Sequence, residues 1–219
     1  MSESDSFINE VTEEVRRDQL YGYLRRYGWI AVLCVLVLVG GAAWNEYNKA
    51  QTRNAAQATG DALLNALEAD DPAARAAALA DVPANGQSVV VTAMMTSGAH
   101  IDAEDFEAAA AVLNDLAANG DVDPIYRDLA SFKAAILPTG DKGARRDSLT
   151  ALAQPGAPFA LLAKEQLAFL DIEDGNVDAA IAAFREIEQD AGVSRGLRER
   201  VQTMMVALGV DIEDIAANQ

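Results

Sequence analysis

Apolar side chains are spaced along this chain in two distinct ways. From Tyr27 to Trp44 there is no charged residue, and the stretch Trp29 to Val39 is almost purely aliphatic. Beyond it, apolar positions recur every three or four residues. One stripe holds Phe106, Ala109, Ala110, Leu113 and Leu116, and another Ile125, Leu129, Phe132 and Ile136. A third runs through Val177, Ala180, Ile181, Phe184 and Ile187, and a fourth through Leu197, Val201, Met204, Met205 and Leu208. Each is one face of a helix with a period of about 3.6 residues. Turn formers separate the stripes: Pro72 after Asp70-Asp71, Pro83 and Gly86, Gly120, Pro138 with Gly140, Pro155 with Pro158, Gly175 and Gly192. No run alternates with a period of two. Val89-Val90-Val91 is ambiguous, and its neighbours Ala93, Met94 and Met95 draw it towards helix. The predicted fold class is all-α.

The uncharged run has the length of a membrane span. As a helix it covers roughly 27 Å, against a bilayer core of about 30 Å. Tyr27 and Trp29 mark one edge, Trp44 and Tyr47 the other, as suits rings at two membrane–water interfaces. A cleaved signal peptide is the competing reading, with Gly41 and Ala43 as its small residues. The segment ahead of the run carries Glu3, Asp5, Glu10, Glu13, Glu14 and Asp18, unlike a short basic leader, and favours a retained anchor. Arg16, Arg17, Arg25 and Arg26 precede the run closely, whereas only Lys49 and Arg53 follow it closely. That asymmetry predicts a cytoplasmic N-terminus. Cys34 reads as a small hydrophobe facing lipid or a neighbouring helix. Phe7, Ile8, Val11, Val15, Leu20 and Leu24 recur at three- to five-residue steps, which predicts an amphipathic helix lying on the membrane or on a partner. A frayed tail is the alternative. Between Trp44 and Asp71 there is no Pro, and only Gly60 interrupts, so the span is expected to continue outward as a short stalk.

The stripes also repeat. Sliding residues 105–116 by 71 lays Asp105, Ala108, Ala109 and Leu113 on Asn176, Ala179, Ala180 and Phe184. A shift of 72 lays Ile125, Leu129 and Phe132 on Leu197, Val201 and Met204. Leu149 and Leu152 follow Leu113 and Leu116 at half that distance, a degenerate middle copy. The unit is a helix hairpin of about 34–36 residues. Ala163, Leu167, Ala168 and Leu170, then Gly175-Asn176, then Ala179-Ala180-Ile181 and Phe184, resemble a tetratricopeptide repeat. Small residues there let two helices approach closely, and Gly175 permits the positive φ that ends the first. The full layout includes the Arg25-Arg26-Tyr27-Gly28 lead-in, the stretches Phe7–Val11 and Glu13–Asp18, one span, and a hairpin array. It is similar to the YfgM family of inner-membrane proteins. That resemblance implies a periplasmic array serving the Sec translocon, periplasmic chaperones or emerging secreted chains.

Composition narrows the chemistry. The 219 residues carry a formal charge of −17, with one Cys and one His. An acidic balance of this size argues against nucleic-acid binding. One Cys and one His leave no disulfide framework or zinc cluster within one chain, and exclude most His-based catalysis. Alanine occurs 44 times, which suits close-packed helices. His100 reads as a solvated loop or capping residue. Asp102, Glu104, Asp105 and Glu107 lack the alternating ligands and central Gly of a calcium loop, and Asp102 is expected to cap a helix. Asp171, Glu173 and Asp174 read as a solvated hairpin tip. Gly140-Asp141-Lys142-Gly143 has the wrong spacing for a phosphate loop. Met94 with Met95, and Met204 with Met205, read as half core and half boundary. No catalytic, cofactor-binding or metal-ligating residue is assigned, and neither a cofactor nor a small-molecule substrate is expected.

The expected architecture is therefore a single N-terminal transmembrane helix followed by a tetratricopeptide-like helical-hairpin solenoid. Residues 1–26 form a cytoplasmic amphipathic segment, 27–47 the span and 48–219 the periplasmic domain. The expected function is protein interaction without catalysis, at the translocon and chaperones or as a scaffold for another envelope complex.

Overall fold

A computed structural model describes the backbone of residues 3–139 and 141–211, and side chains from Arg25 onward except Ala31. Helices α1 (Glu3–Leu67), α2 (Pro72–Ala80), α3 (Ser88–Asp102), α4 (Phe106–Ala118), α5 (Pro124–Ala135), α6 (Lys142–Leu152), α7 (Ala160–Glu173), α8 (Val177–Gln189) and α9 (Arg195–Ala207) follow in order. No strand occurs among the described residues, and Val89-Val90-Val91 lies in α3. The expected all-α hairpin array is the observed fold. Two compact units divide the chain, Met1–Ala58 and Thr59–Gln219. Helix α1 runs unbroken through Gly60. The expected amphipathic pattern over Phe7 to Leu24 lies outside the described side chains.

Within the second unit the core is a row of four clusters. Ala66 of α1 packs with Ala76 and Leu79 of α2 and Ala99 of α3. Val90 of α3 packs with Leu113 and Leu116 of α4 and with Ala130 and Ala134 of α5. Ala135 of α5 joins Leu149 and Leu152 of α6 and Ala163 and Leu170 of α7. Ala168 of α7 joins Ala180, Phe184 and Ile187 of α8 and Leu197, Val201 and Met205 of α9. Helices α3, α5 and α7 each serve two clusters, whereas α2, α4, α6 and α8 each sit inside one. Stability in such an array comes from each hairpin and its neighbours.

Hairpin starts share one device. Asp71, Asp105 and Asp141 each accept a hydrogen bond from the backbone N–H of an alanine three residues on, at 2.8, 3.1 and 2.9 Å. Asn176 holds the same place ahead of α8 without a side-chain cap bond. These four residues recur once per hairpin. The helix cap expected at Asp102 is thus corrected to Asp105. Helix α3 continues to Asp102 because the Asp105 N–H closes back on the His100 carbonyl at 2.9 Å. Asp102 instead sits at a helix C-terminus, where its charge is unfavourable, and Arg75 lies 3.6 Å away.

The fourth residue of each capped helix alternates: Arg75 in α2, Ala109 in α4, Arg145 in α6, Ala180 in α8. In the alanine copies, the preceding helix closes in backbone. Glu104 and Gly175 take positive φ, +59° and +80°. The next N–H then bonds the carbonyl five residues back, at 2.9 Å for Asp105 and 2.8 Å for Asn176. In the arginine copies, a guanidinium donates to a backbone carbonyl at or just past the end of the preceding helix. Arg75 Nε donates to the Ala69 carbonyl at 3.0 Å, and Arg145 Nε to that of Ala135 at 2.9 Å. The pattern therefore repeats every two hairpins. The middle copy is the alternate hairpin type.

One stripe is buried differently from its pattern. Ile125 and Ile136 are exposed at 44% and 39%, while Ala130, Ala134 and Ala135 carry the contacts of α5. Close helix approach selects the small residues and leaves the larger ones at the margin. Phe132 stacks on Phe159 with centroids 5.9 Å apart.

Candidate interaction surfaces

Helix α1 contains a long apolar window of mean hydropathy 2.0, none of it buried. Trp29 is 64% exposed and Leu38 71%. Burial of such a run in water-free surroundings is strongly favoured, at about 25 cal/mol per Å² of apolar surface. By length and composition it is able to cross a membrane. Cys34 lies within it as an exposed free thiol.

The acidic and histidine positions lie at helix ends. His100 belongs to the last turn of α3, not to a loop, and its Nδ1 lies 3.8 Å from Asp105. Among the described residues, no group of three or more His, Cys, Asp or Glu side chains is arranged to hold a metal ion. Asp171, Glu173 and Asp174 are not merely solvated. Arg146 donates to Asp171 at 2.9 Å and to Asp174 at 2.8 Å. Lys142 binds Asp174 and lies 3.5 Å from Glu173. The hydrogen bond from Lys142 holds the Asp174 carboxyl below its ordinary pKa, and the same bond raises that of Lys142. These ion pairs bind the start of α6 to the end of α7. No spacing in the sequence pointed to them, because Lys142 and Arg146 stand a full helix ahead of their partners.

A second charged joint links α7 and α9. Arg200 donates two hydrogen bonds to Glu165, at 2.9 and 2.8 Å. The Glu165 side chain is 4% exposed and that of Arg200 55%. The carboxylate raises the pKa of the guanidinium. Nearby in the chain, buried Glu188 accepts a hydrogen bond from Gln202 at 2.6 Å. Of the two methionine pairs, Met204 and Met205 divide as expected, whereas Met94 and Met95 do not. Met205 is fully buried, while Met204, Met94 and Met95 are half-buried.

A cavity of about 370 Å³ opens beside the end of α2. Ala80 and Val82 form one wall, Val89 and Ala93 of α3 a second, Val112 and Leu116 of α4 a third. Helix α2 has 9 residues where α4 and α8 have 13. Helix α6, like α2 an arginine copy, has 11 residues, and the space opens beside Ala80, the last residue of α2. Thr92 contributes a buried hydroxyl without a hydrogen-bond partner, and exposed Asp115 stands at the edge.

A family model described as a tetratricopeptide repeat-like domain matches residues 22–209, which takes in the apolar run of α1 as well as α2 to α9. No curated protein matches the chain. No solved structure matches it either.

Proposed function

The chain belongs to the tetratricopeptide repeat-like family, and from that premise we propose that it is a membrane-anchored protein-interaction module of the cell envelope. Residues 1–26 lie in the cytoplasm, 27–47 span the inner membrane and 48–219 form a periplasmic domain. Its partners are a protein-exporting channel of the Sec type, periplasmic chaperones and the secreted chains between them. Repeat domains of this family are non-catalytic scaffolds, and the chain is read as one of them. The observation that carries the proposal is the unburied apolar window of α1, joined in one chain to a hairpin array. An interaction domain tethered at a membrane needs little affinity, because tethering raises its effective concentration. Residues 46–219 hold 28 acids and 13 bases. Captured segments are therefore basic, and salt weakens capture.

In-cell photo-crosslinking tests this reading. A crosslinker replaces exposed Val91, Tyr126 or Val206 in the full chain. Adducts with channel subunits, chaperones or secreted chains are expected. Adducts confined to a cell-wall or cytochrome-assembly complex would replace the export reading with that of a scaffold.

A further inference from the structure

We infer that the cavity beside the end of α2 is a docking cleft for one turn of a partner polypeptide, an apolar anchor residue flanked by Lys or Arg. Three observations converge on it. The volume of about 370 Å³ lies within the range of ligand pockets, and the walls named above are Ala, Val and Leu side chains. Ala80, the last residue of α2, and Val82 just past it both line the space, so it opens where the chain leaves that helix. A short apolar segment of a partner suits walls of this kind. Thr92 lines the cleft and is only 7% exposed, and its hydroxyl is a buried polar group without a partner.

Charge sets the flanks of the occupant. Asp115 lines the edge, and Asp81 stands in the chain between the lining residues Ala80 and Val82. Both are exposed, and neither makes an ion pair among the described residues. A Lys or Arg beside the anchor meets these carboxylates, whereas an acidic neighbour is repelled. A small apolar molecule would fill the walls but leave the edge charges unused. The inference rests on the reading of the chain as a protein-interaction module and supplies that module with a site.

The test uses the full chain in detergent and fluorescein-labelled hexapeptides. The probe is Ser-Lys-Leu-Phe-Lys-Ser, blocked at its C-terminus. Its controls are Ser-Glu-Leu-Phe-Glu-Ser and Ser-Lys-Ser-Ser-Lys-Ser. Anisotropy is expected to rank the probe at least tenfold above both controls. Ala93→Leu fills the cleft from α3, and Ala84→Leu fills it from the loop, which holds less of the fold. Each is expected to weaken the probe at least tenfold while far-UV circular dichroism stays unchanged. Asp115→Lys is expected to weaken the probe and to strengthen the glutamate peptide. Probe binding that survives both filled variants would overturn the cleft and leave the interaction-module reading standing. Binding of indole that both filled variants abolish, with no peptide bound, would overturn it in favour of a small-molecule site.

Discussion

Ala180 offers the sharpest perturbation of the array. It is fully buried on α8, in one cluster with fully buried Ala168 of α7 and Phe184 of α8. Its neighbour Ala179 is exposed. Replacing Ala180 by Leu adds three carbon atoms where two helices meet through small residues. Room for them comes only from off-rotamer side chains or from moving α7 away from α8, at a cost of about 1–3 kcal/mol. In a unit of this size that lowers Tm by about 2–4 °C per kcal/mol. Ala179→Leu adds the same atoms into solvent and stays within about 0.5 kcal/mol. The assay is far-UV circular dichroism of the full chain in detergent, with hydrogen exchange read by mass spectrometry. Both tryptophans, Trp29 and Trp44, lie on α1, so their fluorescence is a poor reporter of α2 to α9. Because the core is four clusters in a row, exchange in Ala180→Leu should rise first over α7 to α9 and least over α2 to α4. A neutral Ala180→Leu, or a larger loss in Ala179→Leu, would refute the close crossing.

Three further outcomes follow from the joints. Arg200→Ala strands the buried Glu165 carboxylate and should cost about 1–3 kcal/mol by chemical denaturation, less than a fully buried pair because the guanidinium is half-exposed; Glu165→Leu combined with Arg200→Leu should recover most of it. Glu104→Gly relieves a positive φ and should stabilise by roughly 0.5–1 kcal/mol, while Gly175→Ala at the matching turn should cost about 1 kcal/mol, with no steric share because a Cβ there meets nothing within 4 Å. At the joint of α6 and α7, Asp174 has a lowered pKa, so its contribution holds above its unfolded value of 3.8 and is lost as pH falls through the folded one; that of Lys142, with a raised pKa, holds below 10.5 and is lost as pH rises through its folded value. Thermal melts from about pH 5 to about pH 2.5 should therefore fall more steeply for the parent chain than for Asp174→Asn.

The helices were legible because their signals are local. Period-3.6 stripes, and the breakers between them such as Pro72, Gly120 and Gly175, need no tertiary knowledge. The self-match two hairpins along was also visible, but the alternation in how the preceding helices close was not. Arg75 and Arg145 look like ordinary surface charges until they are seen to cap the carbonyls before them. One signal did exist for the caps: an Asp or Asn three residues ahead of an Ala, recurring once per hairpin. It was masked at α4 by Asp102, which stands three residues before the true cap. The burial of Ala130 and Ala134 in place of Ile125 and Ile136 was hidden because periodicity counts a large side chain above a small one. The cleft depends on which side chains of α3, α4 and the end of α2 meet around it, a tertiary fact that periodicity does not carry.

The account depends most on where the array stands relative to the membrane. Cysteine labelling in intact cells measures that directly. In the full chain, Cys34 is replaced by Ala, and Ser4→Cys or Asp61→Cys is introduced separately. A maleimide that enters the periplasm but does not cross the inner membrane should label Asp61→Cys at once, and Ser4→Cys only after lysis. Labelling of Ser4→Cys with protection of Asp61→Cys would contradict the account, as would a mature chain that begins near Trp44.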